Sequence, residues 1–564
     1  MVSPYLSKKT VASSQVNAQA KKLFQVVYGE QTKAEDKRDI PRIKVSEMIS
    51  KLSFYYEKIR NTVDYNEEYL LRKSAIERIL RRQIVIEGTI KSFKTEEVSE
   101  NLLVELIRAG YLPNNQIPET KIADTAEIIE KYIKLRNFLY AYLRPGVHLK
   151  TGEVMRARDL LAERNGLLSW LIALAASEIE DSLGRNKVTQ MVVSNMYDSL
   201  IKDIKLPSDL PYEEDLNIQI YLAIHRVYLK FDNDMLGLIL FKYYNGSWKN
   251  PTDEDIAYIA RDIIPLSRMI NRQLGHPLKK ELEAIVKKYN VYFSILIDLI
   301  KKGPVDAYNS IKTDSKALAF LVKHACAARY KEINKKLWRV AARSVIYLFL
   351  TKSIFVILLE IPTIKFFHEP INYFALVINV TFPALLLFAI VLFTRMPGSK
   401  NTDKIIEGVS EITLEENARK EPFVLRRRTK RGGVINSIFN FLYFITFFCS
   451  FGAVVWGLEK IGFTWVSIII FLFFLALVSY FGIKIKDKSR ELMVIEPKEN
   501  IFTFVMDFFY IPVIAVGKWL SEKFSRINVF AIVLDFVVEA PFKIFVETAE
   551  EWTKYVRERK DDIR

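Results

Sequence analysis

"SVIYLFLTKSIFVILLEI", residues 344–361, is eighteen residues of almost unbroken apolar sequence, with Lys352 in its middle and Glu360 beside its end. How this stretch is read decides the fold. A helix rising 1.5 Å per residue nearly covers a hydrocarbon core of about 30 Å in that length. The stretch therefore either crosses a bilayer or forms a buried core helix. One central lysine costs about 2.5–3.5 kcal/mol on an insertion scale, while each apolar neighbour contributes only a few tenths in return. Taken alone, the segment is marginal.

Its neighbours are not. "INYFALVINVTFPALLLFAIVLF" (371–393), "VINSIFNFLYFITFFCSFGAVVWGL" (434–458) and "TWVSIIIFLFFLALVSYFGI" (464–483) contain no Asp, Glu, Lys or Arg. Each is long enough to cross, and backbone polar groups inside lipid must be satisfied within the segment, so these are expected to be helices. The last two are joined only by "EKIGF", which predicts a tight hairpin flanked by the interfacial aromatics Trp456 and Trp465.

Charge decides the first. If 344–361 crosses, four crossings form two hairpins. Arg329, Lys331, Lys335, Lys336, Arg339 and Arg343 then share one side with ten Lys and Arg of 395–433 and with Lys484, Lys486, Lys488 and Arg490. Only Lys365 and Lys460 face the other side. If it does not cross, the clusters at 395–433 and 484–490 fall outside, against the positive-inside bias. The expectation is a full crossing, with a re-entrant or surface helix as the alternative. Both termini are then cytosolic in a multi-pass protein of the cell (plasma) membrane.

The rest of the chain fits an all-α architecture. Of 564 residues 50% are hydrophobic and 26% charged, and glycine is scarce at 20, a mixture suited to a helical soluble part joined to a membrane part. The net charge is +16: residues 1–320 carry +6, residues 321–340 carry +5 and the remainder +5. The two cysteines, Cys326 and Cys449, sit in no zinc-like spacing, so no disulfide framework is expected. The N-terminus has no apolar stretch of signal-peptide length.

The chain divides, on this reading, into a flexible arm (1–40), a helical cytosolic subdomain (41–205), a second one (206–340) ending in a basic juxtamembrane helix, a first membrane hairpin (344–393), a basic cytosolic loop (394–433), a second hairpin (434–483) and amphipathic membrane-associated tail helices (484–564). Ile76, Ile79, Leu80 and Ile84 share one helix face, with Glu77 and Arg81 paired on the other. "TDED" (252–255) predicts a helix start capped by Thr252. "GLLSWLIALAA" (166–176) is too short to cross and reads as a core helix, with Glu178, Glu180 and Asp181 as its solvated end. Pro207 and Pro211 mark the boundary between the two subdomains. In the tail, Asp535, Glu539, Lys543 and Glu547 recur every four residues and predict one polar stripe on an interfacial helix.

Lys352 is the main ionisable residue inside the apolar runs. It is a candidate substrate, ion or proton contact, or else a lysine that faces a bundle interior or snorkels to the surface. Asn379, Thr381 and Asn440 are its candidate polar partners, and Glu360 is expected among headgroups. Lys335, Lys336, Arg339, Arg343, Arg426, Arg427, Arg428, Lys430 and Arg431 are candidate contacts for anionic lipid, each gaining about 1 kcal/mol near such a surface. Nucleic acid is not expected, because these clusters abut the apolar runs. Ala453 and Gly457 form a close small-xxx-small pair in the last three runs, which gives little support to tight bundle packing.

No Walker, GxSxG, HExxH or dinucleotide fingerprint occurs, and the five histidines are scattered. "FDND" at 231–234 could hold a divalent ion but reads as a helix cap. No cofactor, metal or catalytic residue is expected. The leading reading is a non-enzymatic interaction platform, or subunit of a membrane assembly, whose cytosolic helices bind an unidentified protein; self-association fits as well. The alternatives are a transporter or channel component using Lys352, and a membrane enzyme acting on lipid headgroups at the cytosolic face.

Overall fold

The computed structural model describes residues 16–32, 41–46, 57, 68–83, 94–143, 157–184, 186–313, 315–394, 396–415, 419, 421–426, 433–495 and 501–526, with scattered positions from 548 to 559. The protein is all-α. In chain order the helices are α1 (Ala18–Thr32), α2 (Glu68–Arg81), α3 (Thr95–Arg108), α4 (Thr120–Tyr142), α5 (Ala157–Gly184), α6 (Lys187–Asp203), α7 (Glu213–Val227), α8 (Asn233–Tyr244), α9 (Asp253–Arg261), α10 (Ile263–Leu274), α11 (Lys279–Lys302) and α12 (Pro304–Thr313). Then follow α13 (Ser315–Phe355), α14 (Ile361–Phe366), α15 (Tyr373–Leu392), α16 (Ser399–Thr413), α17 (Gly433–Ile461), α18 (Trp465–Ser489) and α19 (Ile501–Arg526). Two short strands, β1 (Ile204–Lys205) and β2 (Phe423–Val424), pair in parallel.

The chain forms two compact units. One comprises residues 21–290, 421–425 and 529–564, the other residues 1–20, 291–420 and 426–528. The first is a helical body. Its core draws Ile76 and Leu80 from α2, Leu102 and Leu106 from α3, Leu135 from α4, Leu174 and Ile179 from α5, Phe241 from α8 and Ile270 from α10. The local rules of the sequence explain these helices. Glu77 and Arg81 form their i,i+4 pair at 3.1 Å, and Thr252 and Asp255 form a reciprocal capping box. The apolar run at 166–176 lies inside α5, with Leu171, Leu174 and Ala176 buried in the body's core.

The second unit holds four helical stretches long and apolar enough to cross a membrane: 316–366, Tyr373–Leu392, Gly433–Ile461 and Trp465–Ser489. The stretch quoted at the outset is helical throughout. It enters from the basic helix α13, passes a π-turn at Val356–Glu360 and ends in α14. α15 packs along α13 and against α18.

Two asparagines tie the ends of these helices together. Asn372 caps α15, accepting from the Phe374 and Ala375 amides, and its Nδ2 donates to the carbonyls of Ile461 and Gly462 at 3.2 Å each. The turn after α14 thus meets the turn after α17, where Gly462 adopts a positive φ of 85°. At the other end Asn401 donates to Tyr330 Oη (3.0 Å) and to Leu492 O (2.8 Å), and accepts from the Val494 and Ile495 amides. Residues from the basic part of α13, from after the second apolar helix and from after the fourth converge on that one side chain.

The structure adds three details here. The basic stretch 394–433 contains α16, whose Ile405, Val409 and Ile412 are buried and which packs on α13. The arm, read with room for one short helix, contains α1, with Leu23, Phe24 and Val27 buried. Close helix packing does not use Gly457, which has nothing within 4 Å of a would-be Cβ. It occurs at Gly482, against Ile390 of α15, and at Gly517 of α19, which lies on the Ala476 carbonyl of α18. A glycine lets the backbones approach because no Cβ intervenes. Helix α19, the first piece of the tail, thereby packs on α17 and α18. The polar stripe of Asp535, Glu539, Lys543 and Glu547 lies outside the described residues.

Candidate functional site

Lys352, Glu360 and Asn379 are fully buried within the apolar helices, as is Ser479 of α18, and the first three meet. Their meeting follows from the π-turn. In a regular α-helix a residue eight positions on is rotated by about 80°, onto a different face. A π-turn absorbs roughly one extra residue, so Glu360 falls close to the stripe of Lys352, as a seventh residue would. Glu360 is thereby turned inward, onto the side of the helix that carries Lys352. The expectation that Glu360 meets headgroups is corrected: it is buried, and Asn379 Nδ2 of α15 donates to its Oε1 at 2.6 Å.

Lys352 Nζ lies over the ring of Phe474, 4.1 Å from the centroid, and 5.7 Å from that of Phe355. The two rings pack edge to face at 5.4 Å. A desolvated cation over an aromatic face gains about 2 kcal/mol. Hydrogen bonding is incomplete: Lys352 Nζ, Glu360 Oε2 and Asn379 Oδ1 are buried and have no partner among the described residues. Pro383, inside α15, also has no amide to offer the Asn379 carbonyl four residues back.

The other sequence candidates stand apart from this cluster. Thr381 donates to Val377 O of its own helix at 2.8 Å, and Asn440 is exposed on α17. Lys335, Lys336, Arg339 and Arg343 are exposed along α13, and Arg426 is exposed too; Arg427, Arg428, Lys430 and Arg431 lie outside the described residues.

The helical body carries buried charges of a different kind. Glu178, read from sequence as solvated, is buried. It accepts from Tyr132 Oη (2.8 Å) and Trp248 Nε1 (3.0 Å), with Lys242 at 3.2 Å and Lys131 at 3.5 Å. Burial pushes its pKa up, but Lys242, Lys131 and the two hydrogen bonds outweigh this and hold it below the ordinary 4.5. Glu180 is buried likewise and accepts from two guanidinium nitrogens of Arg72, Nε at 2.7 Å and Nη2 at 2.6 Å. Both glutamates lie in the stretch of α5 buried on all sides, 171–180, which continues past the apolar run.

The "FDND" turn is a cap: Asp232 Oδ1 accepts from the Met235 amide. The place a divalent ion would take is filled by buried Lys73, whose Nζ reaches Asp232 at 2.5 Å and Asp234 at 2.6 Å. Burial pulls the Lys73 ammonium down, and the two aspartates raise it further than that. His276 resembles a base oriented by Asp215, 3.4 Å from its Nε2. Its Nδ1, however, already accepts from the Leu278 amide at 3.2 Å, so no ring nitrogen is free for a substrate. Among the described residues no three His, Cys, Asp or Glu are grouped to hold a metal.

No protein-family model, no curated protein and no solved structure matches this chain.

Proposed function

We propose that the protein is a multi-pass subunit of a cell-membrane assembly, with its helical body in the cytosol as a non-enzymatic interaction platform for another protein. The observation that carries this reading is the convergence at Asn401. Tyr330, Asn401 and the 492–495 segment meet there, as they must if four apolar helices cross in two antiparallel pairs. The twenty clustered cations lie in sequence at that same end, and the Asn372 clamp ties the two turns of the opposite end. Cytosolic placement of the basic end follows from the positive-inside bias. Lys335, Lys336, Arg339 and Arg343 would then face anionic headgroups.

An impermeant thiol reagent on intact cells, applied to single-cysteine variants in a Cys326→Ser, Cys449→Ser background, tests this. Thr429→Cys is expected to be protected and Glu459→Cys to react. Exterior labelling at 429 would end the reading.

The buried Lys352 centre favours a second reading, a transport component. A platform has no need of a charge with unpaired polar neighbours inside its anchor. Flux through reconstituted vesicles that disappears in Lys352→Met would decide for transport; absence of flux in the parent would leave the platform.

A further inference from the structure

We propose that Lys352, Glu360 and Asn379 form a proton-exchange site inside the apolar helices, built to hold bridging water. This deepens the transport reading by naming the species handled, and it rests on α13 crossing the bilayer.

The argument is one of hydrogen-bond supply. The site offers one strong donor group, the Lys352 ammonium, and two acceptors, Glu360 Oε2 and Asn379 Oδ1. All three are buried and without a partner among the described residues. Buried polar atoms left unpaired are costly, about 1–3 kcal/mol each, and are ordinarily joined through protein or water. A ligand for this set must accept from nitrogen and donate to oxygen, which water does with 2–4 bonds. The lysine already supplies the positive charge, so a metal cation would be repelled. Phe474 and Phe355 close off the ammonium's aromatic side.

The exchange balances without a further reactant. An N–H bond of the Lys352 ammonium breaks as its proton passes to the bridging water. That water releases one of its own protons to Glu360 Oε2, where an O–H bond forms. The ammonium–carboxylate pair becomes an amine and a carboxylic acid, and total charge is unchanged. A proton arriving from bulk water then recharges the amine.

Among the described residues no other ionisable side chain enters from α15 or α18, which pack on this part of the first apolar helix. α15 contributes Asn379 and contains only Tyr373, exposed at its start. α18 contributes Phe474, and its ionisable residues begin at Tyr480, toward its other end. The π-turn is then functional: it brings both titratable groups of one helix onto one face, and such turns recur at functional sites.

Infrared difference spectroscopy of the full chain in lipid nanodiscs, stepped between neutral and acid pH in H2O and D2O, reads this directly. A protonated-carboxyl band that shifts in D2O and is lost in Glu360→Gln is expected. Lys352→Met, which retains the acid, should move that band's frequency. The proposal is overturned if no exchanging carboxyl band forms, if the band persists undiminished in Glu360→Gln, or if it is insensitive to Lys352→Met. Sodium or potassium abolishing the band at constant pH would assign the site to a metal cation and equally overturn it. These readouts are independent of sidedness, so failure of the topology in cells and failure of the exchange site are separate results.

Discussion

Two buried lysines show how differently the two units treat charge. Lys73, in the helical body, is held by two carboxylates at 2.5 and 2.6 Å, one of which also caps α8. Lys352, among the apolar helices, rests on an aromatic face and donates no hydrogen bond to any described residue. The acids repeat the contrast. Glu178 is surrounded by four donors, whereas Glu360 has one oxygen paired and one unpaired. A saturated network fixes packing; an unsaturated one keeps capacity for a ligand or a proton. The body's charges are structural pins, and the charges among the apolar helices are poised.

The contrast is broken or sharpened by substitution. The largest effect is expected at Glu178. Glu178→Ala removes the common partner of Tyr132, Trp248, Lys131 and Lys242, and breaking such a buried ion pair costs about 3–5 kcal/mol. Thermal unfolding in detergent should show a clear drop in midpoint; an unchanged midpoint would refute the pin. The same residue has a pH signature. Its folded-state pKa is depressed, so its contribution is complete above the ordinary 4.5 and is lost as pH falls through the lower folded value. Glu178→Gln should therefore flatten the acid limb of stability between the ordinary 4.5 and that lower value and leave the alkaline limb alone.

A smaller effect is expected at Gly517. A Cβ there would collide with the Ala476 carbonyl, a backbone atom with little freedom to yield. Overpacking costs about 1–3 kcal/mol, so Gly517→Ala should loosen α19 from α18 and expose it to limited proteolysis. Gly457→Ala, in open space, is the control.

The smallest effect, and the sharpest test of the contrast, comes from the lysines themselves. Lys73→Met should lose about 1–2 kcal/mol, moderated because water screens the partly exposed Asp232 and Asp234. The double variant Lys352→Met with Glu360→Gln should unfold no earlier than the parent, since apolar or neutral replacement of a buried pair is often neutral or stabilising. Equal losses at both sites would erase the distinction.

Much of the fold was legible because it rests on local chemistry. The lengths of the apolar runs, the Thr252 capping box, the Glu77–Arg81 pair and the core helix at 166–176 each depend on residues a few positions apart. Cation placement needs only their order along the chain. The candidate site was half legible. Lys352 stands out in an apolar run and Asn379 in another, but nothing local says that they share a neighbour. Glu360 was misread because its position near the end of its run suggests a headgroup, and Glu178 because an acid after an apolar stretch resembles a solvated end.

The sequence by itself determined an all-α chain with four apolar stretches of crossing length and a lopsided distribution of cations. Only the tertiary structure decided that a π-turn rotates Glu360 toward Lys352, that Lys73 fills the Asp232–Asp234 turn, and that Asn372 and Asn401 clamp opposite ends of the apolar helices. The physical reason is range. Helix length and caps are set by neighbours within a turn or two, whereas the partner of a buried polar group comes from another helix, 19 residues away for Glu360 and 159 for Lys73. A one-residue change of helical phase is invisible to any fixed period.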